Sequence, residues 1–230
     1  MKHFAIAALA TFGILLANVP TARAQDASCI GSLSNVTING NLVVPSGSCT
    51  LNGVKVRGNV TVEAGAFLLV TSGSKIGGNI VTDDKCVGVS LMGNPITVGG
   101  NLQIQGCTGT AGGGVFNGYT QTNGPGLITI GGNFACENNA GPCLGQDGGK
   151  VGGNVWFVTN TGGAGNTLAV ISLAAIEGNV EVEDNASGDS VVGGNNIGGN
   201  LNCQGNGNVT DGGLGANTVG GKKLGQCAGL

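Results

Sequence analysis

The stretch Val36-Thr37-Ile38-Asn39-Gly40-Asn41-Leu42-Val43 decides how the rest of the chain reads. Its core is Ile or Val, any residue, Gly, Asn, then an apolar residue, and that core recurs along the chain. The Gly-Asn pairs end at Asn41, Asn59, Asn79, Asn101, Asn133, Asn154, Asn179 and Asn200. Ile or Val stands three residues before each Asn, as in Ile38, Val56 and Ile76, and an apolar residue follows it, as in Leu42, Val60 and Phe134. Successive Asn are 18, 20, 22, 32, 21, 25 and 21 residues apart. This is a solenoid period, in which each repeat buries its apolar face only by stacking on its neighbours. A degenerate ninth copy, Val219-Gly220-Gly221-Lys222, follows Asn200 at a similar interval.

Alternate residues of a strand share a face, so Leu42 with Val44, and Val60 with Val62, point together into the coil. The Ile or Val ahead of the Gly-Asn belongs to a separate short strand. Gly and Asn enter left-handed backbone conformations most cheaply, which predicts a left-handed corner between the two strands. Coils repeating in this way pair with one another at roughly 4.8 Å. Asn side chains stacked along the corner would form a hydrogen-bonded ladder. The expected fold is all-β: a single-stranded, right-handed parallel β-helix of about nine coils of roughly 21 residues.

Residues 1–24 stand apart from this pattern. Lys2 and His3 precede an apolar run from Phe4 to Val19, and Ala22-Arg23-Ala24 forms a small-x-small cleavage site before Gln25. The segment reads as a Sec-type secretory signal peptide, which predicts a secreted or cell-surface protein. The run is short for a bilayer span, so no membrane span is expected in the mature chain. Residues 25–230 then form one β-helix domain. Without Lys2 and Arg23, seven of the nine basic residues remain against 12 acidic ones. Arg57 is the one arginine left, so there is no basic stripe for nucleic acid. Aromatic residues are 3% of the chain, which leaves thin layers of Val, Ile and Leu to fill the core.

All eight cysteines lie beyond the cleavage site: Cys29, Cys49, Cys86, Cys107, Cys136, Cys143, Cys203 and Cys227. An even number in an exported chain favours disulfides over a metal site. Taken two by two, neighbours are 20, 21, 7 and 24 residues apart. Three of those separations are one coil, which predicts pairs stacked on adjacent turns, while Cys136–Cys143 closes a local loop. Cys29–Cys49 and Cys203–Cys227 would staple the end coils, where a solenoid has unpaired strand edges.

Two intervals exceed the period. The larger excess falls in an insertion near 107–126, which carries Phe116 and the sole tyrosine, Tyr119. A smaller one falls near Thr159 to Gly165. Insertions into a solenoid become loops on one edge, often the binding edge. The sole tryptophan, Trp156, stands two residues after Asn154, where alternation points it outward; its equivalents are Val43, Thr61, Val81, Gln103, Ala135, Glu181 and Asn202. Phe116, Tyr119 and Trp156 are therefore the candidate partner-binding residues, since aromatics are enriched at binding hot spots. With one Thr in that column, a ranked ice-binding array is not expected.

Glu181, Glu183 and Asp184 supply hard oxygen ligands that could hold calcium, but a solvated acidic strand face is the favoured account of them. Glycan cleavage needs paired carboxylates, or a calcium cluster with a basic residue. Lys55 and Arg57 project about five coils from those acids, on the order of 24 Å along the axis. No catalytic residues are assigned, and the fold calls for no metal or cofactor.

The repeated Ile/Val-x-Gly-Asn-apolar unit resembles that of secreted bacterial proteins with Gly-Gly-Asn β-helix repeats. The tail from Ile197 to Cys227 is similar to their closing segment. More loosely, the chain resembles bactofilins, polymer-forming β-helix proteins of the bacterial interior, from which its signal peptide and cysteines depart. The resemblance implies fold and export rather than a particular activity. The expected function is an exported, non-enzymatic structural or adhesin-like solenoid at the cell surface or in the extracellular matrix, with a glycan or protein partner and self-association both open. The alternative is a carbohydrate-active or carbohydrate-binding β-helix, polysaccharide lyase-like.

Overall fold

Each repeat builds three short strands, and apolar alternation decides which side of each one faces in. In the first coil these are Thr37–Ile38, Leu42–Val44 and Gly47–Asn52. Leu42, Val44, Cys49 and Leu51 are buried while Val43 and Thr50 lie half-exposed between them. The computed structural model of the protein describes residues 26–71, 73–93, 95–109, 128–145, 149–162, 167–185 and 188–230. Residues 1–24, where a signal peptide is expected, and most of the insertion, with Phe116 and Tyr119, lie outside the described residues.

Stacking the repeats gives a parallel β-solenoid with no helix among the described residues. Strands following the Gly-Asn corner form a ten-stranded sheet, here the first face, and those preceding it form a nine-stranded second face. Every pairing is parallel, and the chain makes about eight turns at about 21-residue spacing. On the first face Leu42, Val60, Ile80, Leu102, Phe134, Val155, Val180 and Leu201 fall in one register column. The residue after each Asn is thus one continuous inner ridge, undisturbed by the 32-residue interval. The third face is split into two four-stranded sheets, one before the insertion and one after it.

The Gly-Asn corner is not left-handed. None of its Gly or Asn residues has a positive φ; left-handed residues occupy the other two corners, as at Lys85, Gly106, Asn138, Thr159 and Asp184 on one and Asn35, Gly53, Leu173 and Gly194 on the other. Glycine is required at the Gly-Asn corner by close approach of successive coils. A Cβ on Gly100 would lie 2.2 Å from Asn79 Oδ1 and 3.0 Å from the Gly78 carbonyl carbon. The Gly100 amide donates to the Gly78 carbonyl at 2.9 Å, and Gly132 repeats this on Gly100.

The asparagine ladder is present, in a form that side-chain stacking alone does not suggest. Each Asn Oδ1 accepts from the backbone amide at the same position of the next coil. Asn59 donates to Asn41 at 2.9 Å, and the rungs from Asn79 through Asn200 to Lys222 run at 2.7–2.8 Å. An amide side chain therefore replaces one backbone rung where the strand turns, satisfying a group that would otherwise lack a protein partner. The close-approach account has a direct test. Gly100→Ala is expected to cost about 2 kcal/mol through overpacking. Gly65→Ala, at φ 72° with nothing near the new methyl, is expected to cost about 1 kcal/mol from the left-handed backbone alone. Chemical denaturation giving Gly100→Ala the smaller loss would reject close approach as the reason for the glycine.

A second ladder lies inside the coil, six residues after the Gly-Asn Asn. Asn139, Asn160, Asn185 and Asn206 stack there, the first three with no solvent exposure. Asn185 Oδ1 accepts from both the Asn160 amide and Asn160 Nδ2, at 3.0 and 3.1 Å. Asn185 Nδ2 donates to the Phe157 carbonyl at 2.8 Å and to Asn206 Oδ1 at 3.0 Å. Cys107 holds the same place one coil earlier, its amide donating to Asn139 Oδ1. A shorter internal pair, Asn195 and Asn217, repeats the scheme at the remaining corner.

The eight cysteines form four disulfides, pairing as neighbours: Cys29–Cys49, Cys86–Cys107, Cys136–Cys143 and Cys203–Cys227, with Cα–Cα distances of 5.6, 4.5, 6.1 and 5.2 Å. Cys86 and Cys107 are stacked, each following a left-handed residue, Lys85 or Gly106. Cys29 and Cys49 are not. Cys49 is in register with Gly31, so this bond links two faces through the interior instead of one position on adjacent turns. Cys136–Cys143 likewise ties a first-face strand to a third-face strand across one corner.

Candidate functional site

The outward side of the first face changes character along the axis. Its early coils present Val43, Thr61 and Val81. From Leu102–Gln105 through Leu201–Gln204 each strand has four residues and shows two outward side chains. Register places Gln103, Ala135, Trp156, Glu181 and Asn202 in one column and Gln105, Glu137, Val158, Glu183 and Gln204 in the next. The residues between the two columns face inward: Ile104, Cys136, Phe157, Val182 and Cys203 are all without exposure. Phe157 meets Phe134 edge to face with ring centroids 5.0 Å apart, a geometry favoured by the ring quadrupoles.

Trp156 points outward as alternation requires and is half-buried. Its neighbour in register is Ala135, whose methyl leaves a gap between the indole and Gln103. The result is an open groove of about 310 Å³ bounded by Asn101, Gln103, Asn133, Ala135, Glu137 and Trp156. Asn101 and Asn133 contribute from the corner. Their Oδ1 atoms are engaged by the amides of Asn133 and Asn154, which fixes each side chain while leaving its Nδ2 without a protein acceptor among the described residues. Gln103 Nε2 donates to Gln105 Oε1 at 3.2 Å.

On the other side of Trp156 the acids sit in register with amides. Glu183 Oε1 accepts from Asn202 Nδ2 at 2.7 Å and from Gln204 Nε2 at 2.9 Å. Asp184 turns the corner at φ 54°, and Glu181 remains in the outer column beside Trp156. Glu183 is thus held by amide donors, and among the described residues no group of three or more His, Cys, Asp or Glu is placed to hold a metal ion. Lys55 and Arg57 stand on and just after a second-face strand of another coil, away from these acids. Of the aromatic candidates, Trp156 alone falls within the described residues.

Sequence reasoning named Trp156 but not its groove, because the outer column showed no repeated chemistry. The signal lay in the differences between neighbours: the smallest side chain of the column, Ala135, directly precedes its largest. Glu137, Asn101 and Asn133 enter the site through the same register. Among the described residues no helix is long and apolar enough to cross a membrane. Compared with protein-family models, curated proteins and solved structures, the chain matches none.

Proposed function

We propose that the protein is an exported structural or adhesion-type β-solenoid that acts at the cell surface or in the extracellular matrix without catalysis. The observation that supports this most is that its eight cysteines form four disulfides, two of them at the end coils. Such a disulfide set is compatible with an extracellular location, because oxidising compartments preserve it. Ladders of backbone and amide hydrogen bonds carry the rest of the fold, so the frame needs no bound group. The test is to fractionate cells expressing the full chain and analyse the product by mass spectrometry. The expected product lies outside the cytosol, begins at Gln25 and contains no free thiol. A cytosolic, reduced protein overturns the reading, as does calcium-dependent cleavage of any polysaccharide in a panel.

The groove at Trp156 favours a second reading, in which the solenoid binds carbohydrate without cleaving it. A half-buried indole beside fixed amide donors and a carboxylate suits a ligand that is apolar on one side and hydroxylated at its edge.

A further inference from the structure

We infer that the outward side of the first face, from Gln103 to Gln204, is a binding site for an uncharged oligosaccharide that runs along the solenoid axis with one sugar ring against Trp156. The inference rests on the carbohydrate-binding reading and gives it a site, a direction and a ligand class. Trp156 supplies the platform, since the electron-rich face of an indole attracts the slightly positive C–H edges of a sugar ring. Ala135 keeps open the space into which that ring fits. The Nδ2 groups of Asn101 and Asn133 donate, Glu137 accepts, and Gln103 does both. These are the partners that a row of hydroxyl groups requires.

Direction follows from register. Polar side chains flank the indole along the axis, where coils are spaced at roughly 4.8 Å: Gln103 and Gln105 two strands before Trp156 with Glu137 between, then Glu181 with Glu183 and Asn202 with Gln204 on the next two strands after it. A chain of hydroxylated rings lying across successive strands meets polar groups on both sides of the ring that stacks on Trp156. Ligand class follows from charge. Glu137, Glu181 and Glu183 face outward, and the strands Leu102–Gln105, Phe134–Glu137, Val155–Val158, Val180–Glu183 and Leu201–Gln204 contain no Lys or Arg. A polyuronate or sulfated glycan would place like charges against these carboxylates without a cation to offset them.

The sole tryptophan of the chain is the reporter for its own site. The experiment titrates the full exported protein with cellohexaose, chitohexaose, maltohexaose and hexagalacturonate, following indole emission and the heat of binding together. At least one neutral hexamer is expected to give saturable heat with a matching emission shift, and hexagalacturonate neither. Ala135→Leu, which fills the groove without touching the indole chemistry, is expected to weaken that binding about tenfold or more. Gln103→Leu, wholly on the surface, gives the same direction if Ala135→Leu does not fold. Heat without an emission shift puts the glycan elsewhere and overturns this site while sparing the carbohydrate reading. No heat with any hexamer at millimolar concentration overturns both. Tighter binding of hexagalacturonate, or folded groove variants that bind normally, also overturns the inference.

Discussion

Asn185→Asp is expected to lower the stability of the fold by about 3–5 kcal/mol at neutral pH, the range for an uncompensated buried charge. The substitution changes one NH2 to oxygen and leaves size and shape intact. Asn185 has no solvent exposure. Its Oδ1 accepts from Asn160, and that half of the ladder survives the change. Its Nδ2 donates to the Phe157 carbonyl and to Asn206 Oδ1, so the carboxylate would set oxygen against two oxygens. Burial raises the pKa of such a carboxyl. The sign of the pH dependence follows: the loss is complete above the raised folded-state value and shrinks as acid restores a neutral, donating carboxyl. The measurement is urea denaturation of native and variant protein from neutral pH down to mildly acidic pH. A variant as stable as the native chain at neutral pH means that the internal amides are not a ladder. A loss independent of pH means that packing, not charge, is responsible.

The parts of the fold that were legible in the sequence are those where one residue faces one environment. The apolar residue after each Asn has to point inward, and Leu102 aligns with Phe134 however long the chain between them. The cysteines pair as neighbours as their spacing suggested, but only Cys86–Cys107 stacks as the coil-length argument required; Cys49 is in register with Gly31 and Cys203 with Gly225. What escaped concerns contacts between coils. Gly100 is glycine because Asn79 and Gly78, some twenty residues earlier, press on it; local propensity suggested positive φ instead. The internal ladder had a signal, Asn at a constant six residues after Asn133, Asn154, Asn179 and Asn200. It was hidden because polar residues are ordinarily read as surface. At this position the amides bond to one another from Asn139 to Gln226, with the Cys107 backbone amide completing the first, so burial costs no hydrogen bond. The groove was illegible for a similar reason. It is a difference in side-chain size between Ala135 and Trp156, which become neighbours only through stacking.

Removing the C-terminal staple with Cys203→Ala and Cys227→Ala is expected to cost about 3.5 kcal/mol in the chain-entropy model, against about 2.5 kcal/mol for the local Cys136–Cys143 loop. The end bond also has a structural duty that the local one lacks. Cys227 follows Gln226, whose Oε1 accepts from the Asn206 amide and Nδ2 at 3.0 and 3.2 Å. Gln226 Nε2 returns bonds to the carbonyls of Asn206 and Gly207. Gln226 therefore continues the internal ladder past Asn206, presenting an amide to its last asparagine. The disulfide holds it there, anchored on the buried Cys203. Without the bond, the final turn loses its covalent tie and the Asn206 rung opens to water, so loss of structure should begin at this end. Hydrogen exchange read by mass spectrometry is the measurement. Protection is expected to fall first between Leu201 and Leu230 in the Cys203/Cys227 variant, while the coils from Leu42 to Leu102 keep theirs. Uniform loss along the whole axis would show that the solenoid unfolds as one unit and that Gln226 does not secure the Asn206 rung.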